Sequence, residues 1–420
     1  MAERPIAERR HLALVEPAPA RSAAAIARAD LWLLLTAAVL LTLFGLVMVL
    51  SAGSVSAAQG YGGNSFWYFQ RQVMYAAGGL GAMLIAWRMS YRAWAALAIP
   101  LLVGSALLMM LAVVHPSRSC LYGACRWIDL GPITLQPSEF AKLGLVAFTA
   151  AVLTRKRRHL HDPMHLVIPL APVVVVIAGL VLLQQDLGTT VIICGTVFLL
   201  MFVAGVRMRY LAVSGLAGLL VGGVMIFSEP YRRSRLLGSW LNAEADPLDS
   251  GLQLIQSLVA IGSGGFTGVG LGGSRAKWDF LPNAHSDFIF AVIGEELGIV
   301  GATGVLIAFA LLLYAGVRIA IHAKDAFGRL LAAGIVSWLG LQTIINLGAV
   351  TGVLPITGVP LPFLSFGGSA LVVTLLGVGV LASVAWARVR PLARGTPRPS
   401  SHVLTPRSTA AAATSRGADR

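Results

Sequence analysis

Apolar residues in this chain arrive in blocks of about twenty, the length that spans a bilayer core of roughly 30 Å. The blocks place helices near residues 31–51, 70–87, 93–114, 138–153, 165–183, 187–206, 211–227, 288–317, 328–350 and 365–387. Between them lie short polar turns and two longer segments, His115 to Gln136 and Ser228 to Ser286. The pattern predicts an all-α polytopic membrane protein of about ten transmembrane helices, its long loop joining the seventh and eighth. Inside that loop, residues 251–261 are apolar but too short to span, which fits an interfacial or re-entrant helix. The eighth block, unbroken from Phe288 to Val317, would be about 45 Å long at 1.5 Å per residue. It exceeds the bilayer core, so it is expected to project or to bend at Gly294, Gly298 or Gly301.

Composition strengthens the membrane reading. Of 420 residues, 57% are hydrophobic and 12% charged, against about 25% charged in soluble domains. The net charge of +14 would suit nucleic acid, but its distribution does not. Five arginines lie in the first 29 residues, seven from Arg388 onward, and most others in short loops. The loops 88–92, 155–158, 207–209 and 318–329 hold eleven Lys or Arg, against Arg71, Arg118 and Arg126 in the short loops opposite. That bias puts the former, and with ten spans both termini, in the cytoplasm of a cell with a multi-pass cytoplasmic membrane protein. Leu31 to Leu50 is longer than the roughly 7–15 residues of a signal-peptide core and reads as an uncleaved first helix. The expected organisation is a basic cytoplasmic segment over 1–29, a membrane domain over 30–388 with the extracytoplasmic loop 228–286, and a disordered basic tail over 389–420.

Several motifs bear on chemistry. Gly268-Val-Gly-Leu-Gly-Gly273 has dinucleotide-loop spacing, yet no strand precedes it and no βαβ unit contains it, so a nucleotide site is rejected. Seven glycines from Gly262 to Gly273 instead suit tight turns and close backbone approach. Glu139 and Lys142, three apart in the first turns of the fourth span, share a helix face. They read equally as a structural ion pair or as part of a polar cavity, and both can hold. Asp186 precedes the sixth span and reads as its N-cap, with a place on the same cavity as a second role. Cys120 and Cys125 fall on the oxidising side, where a disulfide is allowed but spacing alone does not fix it. Cys194 reads as a core residue. No zinc spacing and no Ser-His-Asp pattern occurs. The densest constellation is Ser274-Arg-Ala-Lys-Trp-Asp-Phe-Leu-Pro-Asn-Ala-His-Ser-Asp287, ahead of Gly294-Glu-Glu-Leu-Gly298. With Arg232, Arg233 and Arg235 upstream, Arg275 and Lys277 bring cations to the side that ordinarily lacks them, suiting an anion such as a pyrophosphate.

Four stretches resemble the SEDS family (shape, elongation, division and sporulation proteins). They are residues 123–142, with Arg126-Trp-Ile-Asp-Leu-Gly-Pro and Gln136-Pro-Ser-Glu-Phe-Ala-Lys142; Gln185-Asp-Leu-Gly-Thr189; Lys277 to Gly298; and Leu354 to Ser369. The resemblance covers roughly residues 30 to 388, and Gly-Gly-Ser-Arg-Ala-Lys-Trp is most similar to the division members, with the elongation members second. It implies a ten-helix fold, peptidoglycan glycosyltransferase activity on lipid II, and partnership with a class B penicillin-binding protein and other division proteins. The family's catalytic aspartate carries over to Asp287 and its polar cavity to Glu139 and Lys142. His285 and Ser369 lie in matched stretches and join the substrate-binding candidates, as do Arg126 and Asp186. Gln185 departs from the family's usual proline, which weakens the transfer to Asp186.

For the reaction that the resemblance implies, the residues suggest the chemistry. The acceptor sugar's hydroxyl is a poor nucleophile, and a carboxylate acting as general base contributes about 10²–10⁴-fold. The departing polyprenyl pyrophosphate needs cations or a metal ion. No cofactor signature is present, and a divalent cation is compatible with the reaction. The rivals are a lipid II flippase and a non-catalytic scaffold that recruits the transpeptidase. A transporter expects ionisable groups near the midplane, whereas these gather on one side.

Overall fold

The computed structural model describes residues 20–114, 125–131, 133–159, 162–228, 233, 240, 241, 243–245 and 251–389. Its helices are α1 (Ala20–Gly60), α2 (Trp67–Arg88), α3 (Ala93–Val114), α4 (Pro137–Arg155), α5 (Pro163–Leu183), α6 (Leu187–Val203), α7 (Met208–Phe227), the short α8 (Leu252–Ser263), α9 (Ile289–Ile321), α10 (Ala326–Val350) and α11 (Gly368–Val389). All but α8 fall on the predicted apolar blocks, and α8 is the short helix expected inside the long loop. The first helix, α1, runs to 41 residues. Alanines at its N-terminal end extend it ahead of the bilayer-length apolar stretch that hydropathy detects.

Seven helices are long and apolar enough to cross a membrane on that ground alone: α1, α3, α5, α7, α9, α10 and α11. The other three have physical reasons to fall short. The 17-residue α6 is short, α2 carries Arg71 and Arg88, and α4 places Glu139 and Lys142 inside the protein. Large side chains such as Leu107, Val175, Leu219 and Val224 are exposed on the outside of the bundle, as lipid-facing residues must be. Cys194 belongs to that outer surface. The buried stripe of α6 is Gly188, Thr189, Ile192, Ile193, Thr196, Val197 and Leu200. Cys194 falls off this stripe and is exposed, which corrects its assignment to the core.

The centre is built from α4, α10, α11 and the start of α9. One line of packing joins α2 to α11, α1 to α9 and α11, and α10 to α4, α6 and α9. By contrast α7 packs chiefly on α6 and leaves most of its surface outward. The helices alternate in direction, so one end of the bundle carries the long loop and the other carries Arg88, Arg92, Arg155 to Arg158, Arg207, Arg209 and Arg329.

The long helix does bend, and at Gly298. There φ is 64° and ψ −161°, a region essentially reserved for glycine. The backbone groups around the break bond to the glycine-rich segment of the long loop: Val269 N donates to Glu295 O (3.0 Å), Gly270 N to Glu296 O (3.0 Å), and Ile299 N to Gly265 O (3.0 Å). Glycines 265, 268, 270 and 272 all take positive φ, so the segment can lie against the helix without side chains intervening. Before the break α9 is enclosed on all sides. After it, Ile299 and Val300 are exposed.

Candidate active site

Asp287 closes a compact turn-rich segment. Asp279 and Asn283 adopt φ of 65° and 60°, and Leu281, Ala284 and Phe288 anchor it in the core. The N-cap position of α9 is Phe288, so Asp287 stands one residue ahead of it, half-buried. Its backbone is fixed from two directions. Asn346 Nδ2 of α10 donates to Asp287 O at 2.8 Å. Ser365 Oγ donates to Ser286 O at 2.6 Å and accepts from Leu361 N at 2.8 Å. Phe366 N donates to His285 O at 3.0 Å. The His285 ring lies 4.2 Å from that of Tyr68, and desolvation there lowers its pKa to about 4.

Glu139 and Lys142 are both buried, 2.8 Å apart. Lys142 Nζ donates to Gln342 Oε1 at 3.0 Å and lies 5.2 Å from the centre of the Trp338 ring. Trp338 Nε1 donates to the same Gln342 oxygen at 2.9 Å. Gln342 Nε2 in turn donates to Pro360 O at 3.0 Å, and Asn346 Nδ2 to Val359 O at 2.7 Å. Trp338, Gln342 and Asn346 are spaced by four on α10 and therefore share one face. That face is a polar spine running from the Glu139–Lys142 pair to the backbone of Asp287. Ser369 completes the connection by accepting from Gln136 N at 2.9 Å, at the foot of α4.

Asp186 caps α6 as expected. Its carboxylate accepts from Thr189 N at 3.0 Å and Thr189 Oγ1 at 2.9 Å. Arg126 Nη1 lies 3.9 Å away, and the same guanidinium donates to Gln184 O and Gln185 O. Gln185 has φ of 58°, which a proline ring fixed near −65° cannot adopt. The turn is therefore built differently from a proline-containing one. Arg126 precedes a two-strand ribbon that periodicity does not announce, with β1 (Ile128–Asp129) antiparallel to β2 (Thr134–Leu135). Beside it Cys125 is disulfide-bonded, while Cys120 lies outside the described residues.

The expected group of five cations is not a single cluster. Lys277 is turned inward, donating to Gly272 O and lying 3.9 Å from Glu296 Oε1. Arg275 and Arg233 are exposed, and Arg232 and Arg235 lie outside the described residues. Two buried carboxylates stand just before the helix break, and Lys277 lies near the second of them, Glu296. Glu295 accepts from Ser274 Oγ (2.5 Å) and Arg275 N (2.9 Å), and Glu296 accepts from Ser51 Oγ of α1 at 2.6 Å. These carboxylates hold the basic segment against α9. Among the described residues no group of three or more His, Cys, Asp or Glu could hold a metal ion.

Sequence reading did not find Ser51, Gln342 or Asn346. Nothing marks Ser51 in a helix of small residues. Gln342 and Asn346, two amides four apart in an apolar span, were a usable signal, because polar side chains in a membrane helix face the interior.

Fold and site together define a polytopic membrane protein with a carboxylate held at one end of its helix bundle. The chain belongs to the cell cycle protein family of FtsW, RodA and SpoVE, which it matches over residues 31–389. It is 42% identical over 359 residues to the probable peptidoglycan glycosyltransferase FtsW of Geobacter metallireducens, covering 86% of this chain and 95% of that one. It is 41% identical over 355 residues to the stage V sporulation protein E of Bacillus subtilis, covering 84% and 96%. A chain in a solved peptidoglycan synthase complex, described as coordinating polymerization and crosslinking, matches with a TM-score of 0.70 and 34% identity over 86% of this chain and 98% of that one. The rod shape determining protein RodA of Thermus thermophilus matches with a TM-score of 0.63 and 30% identity, over 85% and 97%.

Proposed function

We propose that this chain is a peptidoglycan glycosyltransferase that polymerises lipid II on the outer face of the cytoplasmic membrane, in septal synthesis. The observation that carries the reading is the convergence of all four family stretches on one end of the bundle. The described residues of 123–142, and residues 185–189, 277–298 and 354–369, are tied there by hydrogen bonds, and Asp287 stands half-buried among them. In the proposed step Asp287 takes the proton from the acceptor sugar hydroxyl as its oxygen bonds to the donor's anomeric carbon. The bond from that carbon to the pyrophosphate breaks, and polyprenyl diphosphate leaves with the electron pair. Arg275 and Arg233, exposed at this end, are the described cations free to meet an incoming pyrophosphate, while Arg126 serves the Asp186 turn.

The arginine-rich end is then cytoplasmic, with both termini, by the excess of positive charge. The partner is a class B penicillin-binding protein, supported by the synthase complex among the structural relatives. A flippase is less well supported. Glu139 and Lys142 lie in the first two turns of α4, at the loop end rather than the midplane that a transporter favours.

The test is purified protein with lipid II, with and without the cognate transpeptidase, glycan products separated by size. Asp287→Asn is expected to insert and bind its partner normally while strand synthesis drops at least about a hundredfold. Near-normal synthesis by this variant would reopen the flippase and scaffold readings.

A further inference from the structure

At the basic end, opposite the candidate active site, the ends of three helices leave a cavity of about 140 Å³. Leu153, Thr154 and Arg157 line it from the end of α4, Val203 and Ala204 from the end of α6, and Ala326, Arg329 and Leu330 from the start of α10. It is far larger than the ~10–15 Å³ that admits one water. Leu153 and Leu330 are buried beneath it, whereas Arg157 and Arg329 are exposed at its rim.

Neither guanidinium is neutralised by a described carboxylate. Every described carboxylate at this end is committed elsewhere: Asp30 to Arg318 and Arg388, Asp162 to His165, and Asp325 to Tyr91, Arg92 and its own helix cap. The guanidinium groups of Arg157 and Arg329 have no hydrogen-bond or ion-pair partner among the described residues. Helix dipoles do not reverse the sign. The carbonyl ends of α4 and α6 bring roughly half a negative charge each and the amide end of α10 roughly half a positive one, against two full guanidinium charges. Thr154 Oγ1 donates to Ala150 O at 2.7 Å, which leaves donation to a ligand to the two arginines.

One wall indicates the source of the anion. Val203 is exposed and adjoins Phe202, also exposed, on the outward surface of α6. A ligand seated between the arginines can continue along that apolar surface. We propose that this cavity binds the phosphate headgroup of an anionic phospholipid, with Arg157 and Arg329 on its oxygens and an acyl chain along Phe202 and Val203. Basic pockets between membrane helices are suited to such headgroups, and paired guanidiniums to phosphate. The ligand would clasp α4, α6 and α10 together. The proposal does not depend on the reaction at the other end.

Full-length protein in neutral detergent is titrated with phosphatidylglycerol, and retained lipid is read by native mass spectrometry. Affinity is expected to fall at least about tenfold in the double variant Arg157→Gln, Arg329→Gln. The charge-matched double variant Arg28→Gln, Arg88→Gln, altered elsewhere at the same end, is expected to bind as the unaltered protein does. Millimolar inorganic phosphate is expected to displace nothing. Equal loss in both double variants would mean general surface charge only, and unchanged affinity in the first would remove the site. Displacement by inorganic phosphate would make the ligand a soluble anion and overturn the lipid assignment.

Discussion

Lys142 is held by three different groups at once: the Glu139 carboxylate, the Gln342 amide oxygen and the face of Trp338. Its side chain is only 2% exposed, so removal leaves Glu139 with an uncompensated charge. Lys142→Ala is expected to cost about 3–5 kcal/mol, read as a lowered melting temperature and yield together with lost polymerisation. Full yield and activity in that variant would show the pair to be idle. His285 makes a second, pH-dependent case. Burial lowers its pKa from 6.5 to about 4, so the unfolded chain takes up the proton first. The associated stability is complete above about pH 6.5 and is lost as pH falls towards 4. His285→Phe keeps a ring beside Tyr68 and Phe366 and is expected to flatten the acid limb of a melting-temperature profile between those values. An unchanged acid limb would place the cause elsewhere.

At the scale of elements, the break in α9 determines how the long loop is attached. A Cβ on residue 298 would lie 2.5 Å from Gly268 N and Phe266 O, at a backbone conformation that only glycine tolerates. Gly298→Ala is therefore expected to detach the glycine-rich segment, seen as rapid proteolysis between residues 262 and 280 in protein that still inserts. Resistance equal to that of the unaltered protein would mean that the break tolerates a side chain. The sequence made the bend legible, since a 30-residue apolar block cannot fit a bilayer and three glycines were available to relieve it. It did not say which glycine, because that depends on where the loop backbone crosses the helix. The same division holds in the candidate site. Asp287, Glu139 and Lys142 were readable as ionisable groups in unusual places. Their connection through Gln342 and Asn346 was not, because it depends on the rotation of α10 against α4. Lys277 was misjudged as a ligand-facing cation because Glu296, beside which it is turned inward, lies some twenty residues further along the chain.

Across the whole molecule, the described bundle ends at Val389, and the remaining residues are rich in Pro, Ser, Thr, Ala and Arg. Such a composition does not build a packed site. Truncation after Arg394 is expected to leave strand synthesis from lipid II unchanged, and lost activity in a correctly inserted truncate would refute this. The enclosure of α9 ahead of its break has a consequence in time as well as in space. Residues Ile289 to Glu296 are all buried, whereas those past Gly298 lie partly against lipid. Local opening is easiest where few groups are packed and hardest in the centre of a core. The amides following Asp287 should thus be among the last in the chain to exchange with deuterated solvent, while those of the outward-facing α7 exchange early. A residue placed at the root of the slowest-opening segment keeps its position through smaller fluctuations of the helices around it, so in the proposed reaction substrates would come and go without the carboxylate being reset between turnovers.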